Sequence, residues 1–104
     1  MDAVFKALAD PSRRRLLDGL ASEPGATLGA LCAPLPITRQ AVSKHLAVLE
    51  SAGLVVSRWS GREKRHWLNP VPIVEIHDRW LSRFTATRAR RLLELRRALE
   101  EKER

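Results

Sequence analysis

TRQAVSKHLAVLESAG, residues 38–53, presents two different surfaces at the spacing of one helix. Val42, Leu46 and Leu49 recur at i, i+4 and i+7, with Ala41 and Val48 beside them, so one side of the helix is apolar. The other side shows Arg39, Gln40, Ser43, Lys44 and Ala47. Thr38 is placed to cap the first turn, and Gly53 to close the last one in the left-handed conformation that glycine adopts freely. His45 borders the apolar stripe. It reads either as a half-buried structural residue or as a phosphate contact, and neither reading gives it catalytic work.

Upstream, Pro34 and Pro36 cannot continue a helix and turn the chain sharply just before Thr38. They end a short helix carrying Leu28, Leu31 and Cys32, with Thr27 as its cap. Before it, Glu23-Pro24-Gly25 breaks a longer helix that buries Leu16, Leu17 and Leu20 and starts at Pro11 with Asp10 as its cap. Arg13, Arg14 and Arg15 read as the solvated start of that helix. Val4, Phe5 and Leu8 form a first short helix that ends near Asp10.

Downstream, the period changes from helix to strand. Leu54-Val55-Val56 and Arg58-Trp59 predict one strand, Arg65-His66-Trp67-Leu68 its partner, and Ser60-Gly61-Arg62-Glu63-Lys64 the loop between them. Trp59 and Trp67 are expected to be packing residues. Pro70 and Pro72 close the hairpin, and Ile73, Ile76, Trp80 and Phe84 begin a last helix. Its stripe continues through Leu92, Leu95 and Leu99 after an interval holding Arg88, Arg90 and Arg91. Whether residues 85–104 stay in one helix is open at this level.

The 104 residues predict a single domain over 1–104, with a hairpin at about 54–69 and a final helix at about 72–100. An apolar share of 44% supports a globular core and excludes a membrane protein; no apolar run approaches the roughly 20 residues a bilayer requires. The N-terminus lacks a secretory layout, and the lone Cys32 suits a reducing compartment, so the expected location is cytoplasmic.

The net charge of +7 is unevenly spread. Residues 1–37 balance four basic against four acidic side chains. Residues 38–72 hold six basic (Arg39, Lys44, Arg58, Arg62, Lys64, Arg65) against two acidic (Glu50, Glu63). A surplus of that kind around one helix and one hairpin suits a polyanion, because each neutralised phosphate releases counterions.

A short helix, a tight turn, an amphipathic helix and a charged hairpin make a mostly α winged helix-turn-helix. In that fold the stripe Val42/Leu46/Leu49 holds the helix on the core and its other side enters a major groove. Gln40 suits adenine edges, Arg39 and Lys44 suit guanine or phosphate, and Thr38 and Ser43 are short enough for close approach. Arg58, Arg62, Lys64 and Arg65 would meet the backbone or the minor groove beside it. Duplex DNA is therefore the expected partner. An enzyme is not: no Ser/His/Asp order with supporting motifs, no phosphate-cradling glycine loop and no buried carboxylate pair is read from the chain. Ser43 and His45, two positions apart, point to different sides of one helix.

The stretch ITRQAVSKHLAVLESAGLVVSRWSGREKRHWLNP resembles the recognition helix and wing of the ArsR/SmtB family of winged-helix repressors, through Thr38, Val42, Ser43, Lys44, His45, Leu46, Leu49, Gly53, Leu54 and Val55. ALADPSRRRLLDGL, residues 7–20, resembles that family's opening segment. The resemblance implies a homodimer joined through the first and last helices on an inverted-repeat operator, with Val4, Phe5, Leu8, Trp80 and Phe84 at the dimer contact. It also directs attention to two metal sites. One family site pairs cysteines on the third helix, where this chain has Thr27 and Gly29 and only Cys32 beyond them. The other lies on the last helix; Glu75-Ile76-His77 resembles its first half, but Arg88 and Arg91 stand where the second pair of ligands would be. No metal site and no cofactor are expected, since a closed zinc site needs four ligands. The same registry suggests a Glu75 contact to Arg88 or Arg91 across a dimer. The inducer, if the chain has one, is unknown, which leaves a metal- or small-molecule-responsive repressor as one alternative. A winged-helix protein-interaction module without DNA binding is the other, and the charge surplus argues against it.

Overall fold

The computed structural model describes residues 1–84 and 86–102. These residues group into two compact units divided between Pro72 and Ile73. In the first unit, helices α1 (Asp2–Leu8), α2 (Pro11–Ser22), α3 (Leu28–Cys32) and α4 (Arg39–Ser51) accompany strands β1 (Ala26–Thr27), β2 (Val55–Ser60) and β3 (Glu63–Leu68). The second unit holds most of α5 (Val71–Trp80), a 3-10 turn (Leu81–Arg83) and α6 (Ala86–Lys102).

Three helix starts are fixed by the side chain before them. The Asp10 carboxylate accepts from the backbone N–H groups of Ser12 at 2.8 Å and Arg13 at 3.1 Å, and Pro11 occupies the first helical position, where no N–H is missed. Thr27 accepts from the Ala30 N–H at 3.3 Å, and Thr38 from the Ala41 N–H at 3.1 Å. At the other end of α4, Gly53 takes a φ of +77°, and the Leu54 N–H returns to the Leu49 carbonyl at 2.9 Å. Leu16, Leu20, Val42, Leu49 and Leu54 are all under 2% exposed, and Val4, Ala7, Leu17, Ala26, Leu31, Leu46 and Val55 complete the core. Burial of each large side chain contributes about 1.5–3 kcal/mol.

Of the arginines at the start of α2, expected to be solvated, Arg14 and Arg15 are exposed and Arg13 is not. Arg13 reaches back to α1 and donates from Nε to the Ala7 carbonyl and from Nη2 to the Lys6 carbonyl, each at 2.8 Å. Arg14 donates to the Leu8 carbonyl at 2.8 Å. A helix leaves its last carbonyls without intrahelical partners, and here two guanidinium groups supply them and set positive charge at the negative end of the helix dipole. Arg15 is exposed, as anticipated.

The sheet has three strands in the order β1-β3-β2, all antiparallel, rather than a bare hairpin. Strand β1 pairs Ala26 with His66 and Thr27 with Arg65, and the Gly25 N–H adds a bond to the His66 carbonyl at 2.8 Å. The β2–β3 loop is also tighter than expected. Ser60 pairs with Glu63, so Glu63 and Lys64 belong to β3 and only Gly61 and Arg62 turn the chain. Gly61 alone of the two has positive φ, +63°, which suits a II′ turn matched to the twist of the strands.

In the second unit the expected single helix is interrupted. The Ser82 hydroxyl donates to the Asp78 carbonyl, the backbone tightens into the 3-10 turn, and Phe84 becomes extended at φ −112° and ψ 139°. Arg88, Arg90 and Arg91 lie inside α6, so the break precedes the arginine-rich interval instead of falling within it. Helix α6 is then continuous to Lys102; Thr85 and residues 103–104 lie outside the described residues. No described helix is long and apolar enough to cross a membrane.

Candidate nucleic-acid interface

Helix α4 separates its two faces as its spacing requires. Val42, Leu46 and Leu49 are 0%, 4% and 0% exposed, while Arg39, Gln40, Ser43 and Lys44 are exposed. The side chains of Arg39, Gln40 and Lys44 have no hydrogen-bond or ion-pair partner among the described residues. Thr38 is exposed beside them; its oxygen is used by the cap, which leaves its O–H to donate elsewhere. His45 sits differently. It is half-buried, with Nδ1 3.4 Å from Nη1 of Arg13, so its ring is tied to the α1–α2 junction rather than to the exposed face. Asp10 completes that junction. Its carboxyl is held below the ordinary carboxylate value by the Arg13 N–H, helped by the Ser12 N–H and the nearby Arg13 and His45 charges, and burial opposes the effect.

The hairpin also has two faces. Val55, Ser57 and Trp59 of β2 stand opposite Leu68, His66 and Lys64, and this face meets α4 at its root, where Val55 and His66 are 3% and 4% exposed. The buried His66 ring is satisfied by the Ala26 carbonyl, 3.0 Å from Nδ1. Lys64 pairs with Glu50 of α4 at 3.9 Å. The reverse face carries Val56 opposite Trp67 and Arg58 opposite Arg65. Like charges directly opposite on adjacent strands repel, and here the Glu63 carboxylate offsets the charge of Arg65.

The four hairpin cations are thus not equivalent. Arg65 is half-buried, donates to the Gly25 carbonyl at 3.1 Å and pairs with Glu63 at 3.2 Å, so it anchors the root of the sheet. Lys64 is engaged by Glu50. Arg58 and the turn residue Arg62 are exposed with no side-chain partner among the described residues. One expectation fails in the other direction: Trp59 is 71% exposed and packs little, whereas Trp67 is half-buried against Gly25. The register puts Trp59 on the same face as Val55, but β2 there has run beyond its cover.

Among the residues expected at a dimer contact, Val4 is 8% exposed and belongs to the chain's own core, so it has little surface left for a partner. Phe5, Trp80 and Phe84 are 44%, 42% and 64% exposed, and Leu8 is half-buried. Cys32 is a half-buried free thiol, and no group of three or more His, Cys, Asp or Glu among the described residues is placed to hold a metal ion.

Comparison with known proteins agrees with this geometry. A helix-turn-helix domain model matches residues 8–58. The chain is 42% identical over 86 residues to the uncharacterised HTH-type transcriptional regulator YuzN of Bacillus subtilis strain 168, a match covering 77% of this chain and 94% of that one. It is 39% identical over 85 residues to the HTH-type transcriptional regulator Rv2034 of Mycobacterium tuberculosis H37Rv, covering 79% and 78% of the two chains. Among solved structures, an ArsR-like transcriptional regulator from Rhodococcus sp. RHA1 superposes with a TM-score of 0.72 at 34% identity, over 96% of this chain and 90% of that one.

Proposed function

The chain belongs to the ArsR family of winged helix-turn-helix transcriptional regulators, and on that premise we propose that it is a dimeric repressor which reads an inverted-repeat operator in duplex DNA. The observation that carries the reading is the split of α4, where Gln40 and Lys44 stand exposed opposite the buried stripe of Val42, Leu46 and Leu49, with the exposed Arg39 and Ser43 on its flank. A major groove admits one helix, and these side chains are of the kinds that discriminate base edges. Arg58 and Arg62 contact phosphate on the adjacent backbone, and affinity falls steeply with salt. Thr38 supports the first turn from beside a phosphate. Lys64, Arg65 and His45 serve the interface chiefly by fixing the hairpin and the helix in place.

A second copy joins through the first helix, by the exposed Phe5 and the half-buried Leu8, and through the last, by the exposed Trp80 and Phe84. Two copies related by a two-fold axis present two α4 helices, which is why the operator is an inverted repeat. Selection of bound duplexes from a random pool tests the reading. Recovery of an inverted repeat, together with a solution mass of two chains, is the expected result. No enrichment at about 50 mM salt, where phosphate contacts are strongest, refutes DNA reading and leaves a protein-interaction module.

A further inference from the structure

Between the exposed half of α4 and the inner face of the hairpin runs an open groove of about 350 Å³, lined by Arg39, Ser43, Glu50, Trp59, Lys64 and His66 among others. Its lining is of two kinds. His66 is buried and Lys64 is paired with Glu50. Arg39, Ser43 and Trp59 are exposed; Trp59 stands across the strand pair from Lys64 and is the most exposed of the large apolar side chains among the described residues at 71%. An indole of that size is normally put to packing, and here it faces a groove that the rest of the chain leaves open.

If α4 enters a major groove and the hairpin tip reaches the adjacent minor groove, one sugar–phosphate strand separates them and must cross between the two elements. The structure leaves that gap at this groove. Its chemistry fits such an occupant: Arg39 and Ser43 supply a cation and a hydroxyl on the helix side, Trp59 a ring face and an N–H on the hairpin side, and the one carboxylate in the lining, Glu50, is held by Lys64. We infer that the α4–hairpin groove is a seat for one strand of the DNA backbone, and that Trp59 is a DNA-contacting residue, its ring packed on deoxyribose and its indole N–H given to a phosphate oxygen. The inference rests on the reading of the chain as a duplex binder. Because sugar and phosphate are the same at every step, the contribution of Trp59 is independent of sequence, unlike that of Gln40.

The test uses the full chain with a random-sequence 30-base-pair duplex pool at about 50 mM salt, where binding without a specific site is measurable. Affinity comes from the anisotropy of labelled duplex, for wild type, Trp59→Ala and Trp59→Phe. The duplex-induced change in tryptophan emission is followed in wild type and Trp59→Phe. Trp59→Ala is expected to bind about tenfold more weakly, about 1.4 kcal/mol. Trp59→Phe, which keeps a ring and loses the N–H, falls between, and most of the emission change disappears with it. Thermal melts of both variants should match wild type, since an exposed side chain supports little of the core. Equal affinity of wild type and Trp59→Ala, or an emission change that persists in Trp59→Phe, overturns the inference while leaving DNA binding intact. Failure of wild type to bind any duplex defeats the underlying reading and the inference with it.

Discussion

Replacing Arg13 by alanine should be among the most destabilising single changes outside the apolar core, although nothing in the sequence marks this residue as structural. Its side chain is 17% exposed and gives two 2.8 Å bonds to carbonyls at the C-terminus of α1. A hydrogen bond from a charged donor is worth about 1.5–3 kcal/mol net. The bond to Ala7 is partly buried and counts in full, whereas water replaces most of the exposed bond to Lys6. The 4.0 Å approach to Asp10 is long and adds little. The sum is about 2–3 kcal/mol, which for a domain of this size lowers the melting temperature by roughly 10–20 °C. Arg13→Lys should recover less than half, because a single ammonium cannot span both carbonyls and the imidazole of His45 as the guanidinium fork does. Urea unfolding at fixed protein concentration, followed by far-UV circular dichroism, measures each difference. An Arg13→Ala midpoint within about 0.5 kcal/mol of wild type, at equal slope, would refute the assignment of this residue as the clamp on α1.

Three further outcomes are expected. Gln40→Ala should relax sequence preference in a selection experiment, whereas Arg62→Ala should weaken binding to all duplexes about equally and reduce the salt slope by about one; the reverse pattern would exchange their roles. Gly25→Ala and Gly61→Ala both force a positive φ on alanine, at roughly 1–2 kcal/mol each, but only at Gly25 would the new methyl meet another group, Trp67 at 3.3 Å; thermal melts should therefore place Gly25→Ala clearly lower. Asp10→Ala removes a carboxyl whose folded pKa is depressed, so wild type draws stability from it above the ordinary value of 3.8 and loses that stability as pH falls through the lower folded value. The difference between the two melting curves should be constant near neutrality and close in acid, and a gap that persisted unchanged to pH 2 would mean that the cap does not act through its charge.

The elements that local chemistry specifies were readable from the chain alone. Asp10, Thr27 and Thr38 each precede a helix and cap it, and the stripe of Val42, Leu46 and Leu49 is buried as its spacing demands. What escaped the sequence depends on partners far along the chain. Strand β1 is two residues long, too short for any period, and exists because His66 and Arg65 lie beside it across 40 and 38 positions. Arginines at a helix start look the same whether solvated or folded back onto the preceding helix, so the clamp formed by Arg13 and Arg14 carried no signal. Charge likewise singled out the hairpin cations without ranking them: Arg62 is exposed at the turn while Arg65 gives a bond to the Gly25 carbonyl.

The three-stranded sheet gives the hairpin one fixed end and one loose one. Its base is gripped by Gly25, Ala26 and the Asn69 N–H bond to the Leu54 carbonyl at 2.7 Å, while beyond the pairing of Trp59 with Lys64 only the two strands hold each other. Such a beam bends at its tip without disturbing its mounting. On the proposed DNA reading, grooves of different width are met by flexing the one residue pair beyond Lys64 and its Glu50 tether, Ser60 with Glu63, and the tip can change in sequence while the mounting that keeps the domain folded stays the same.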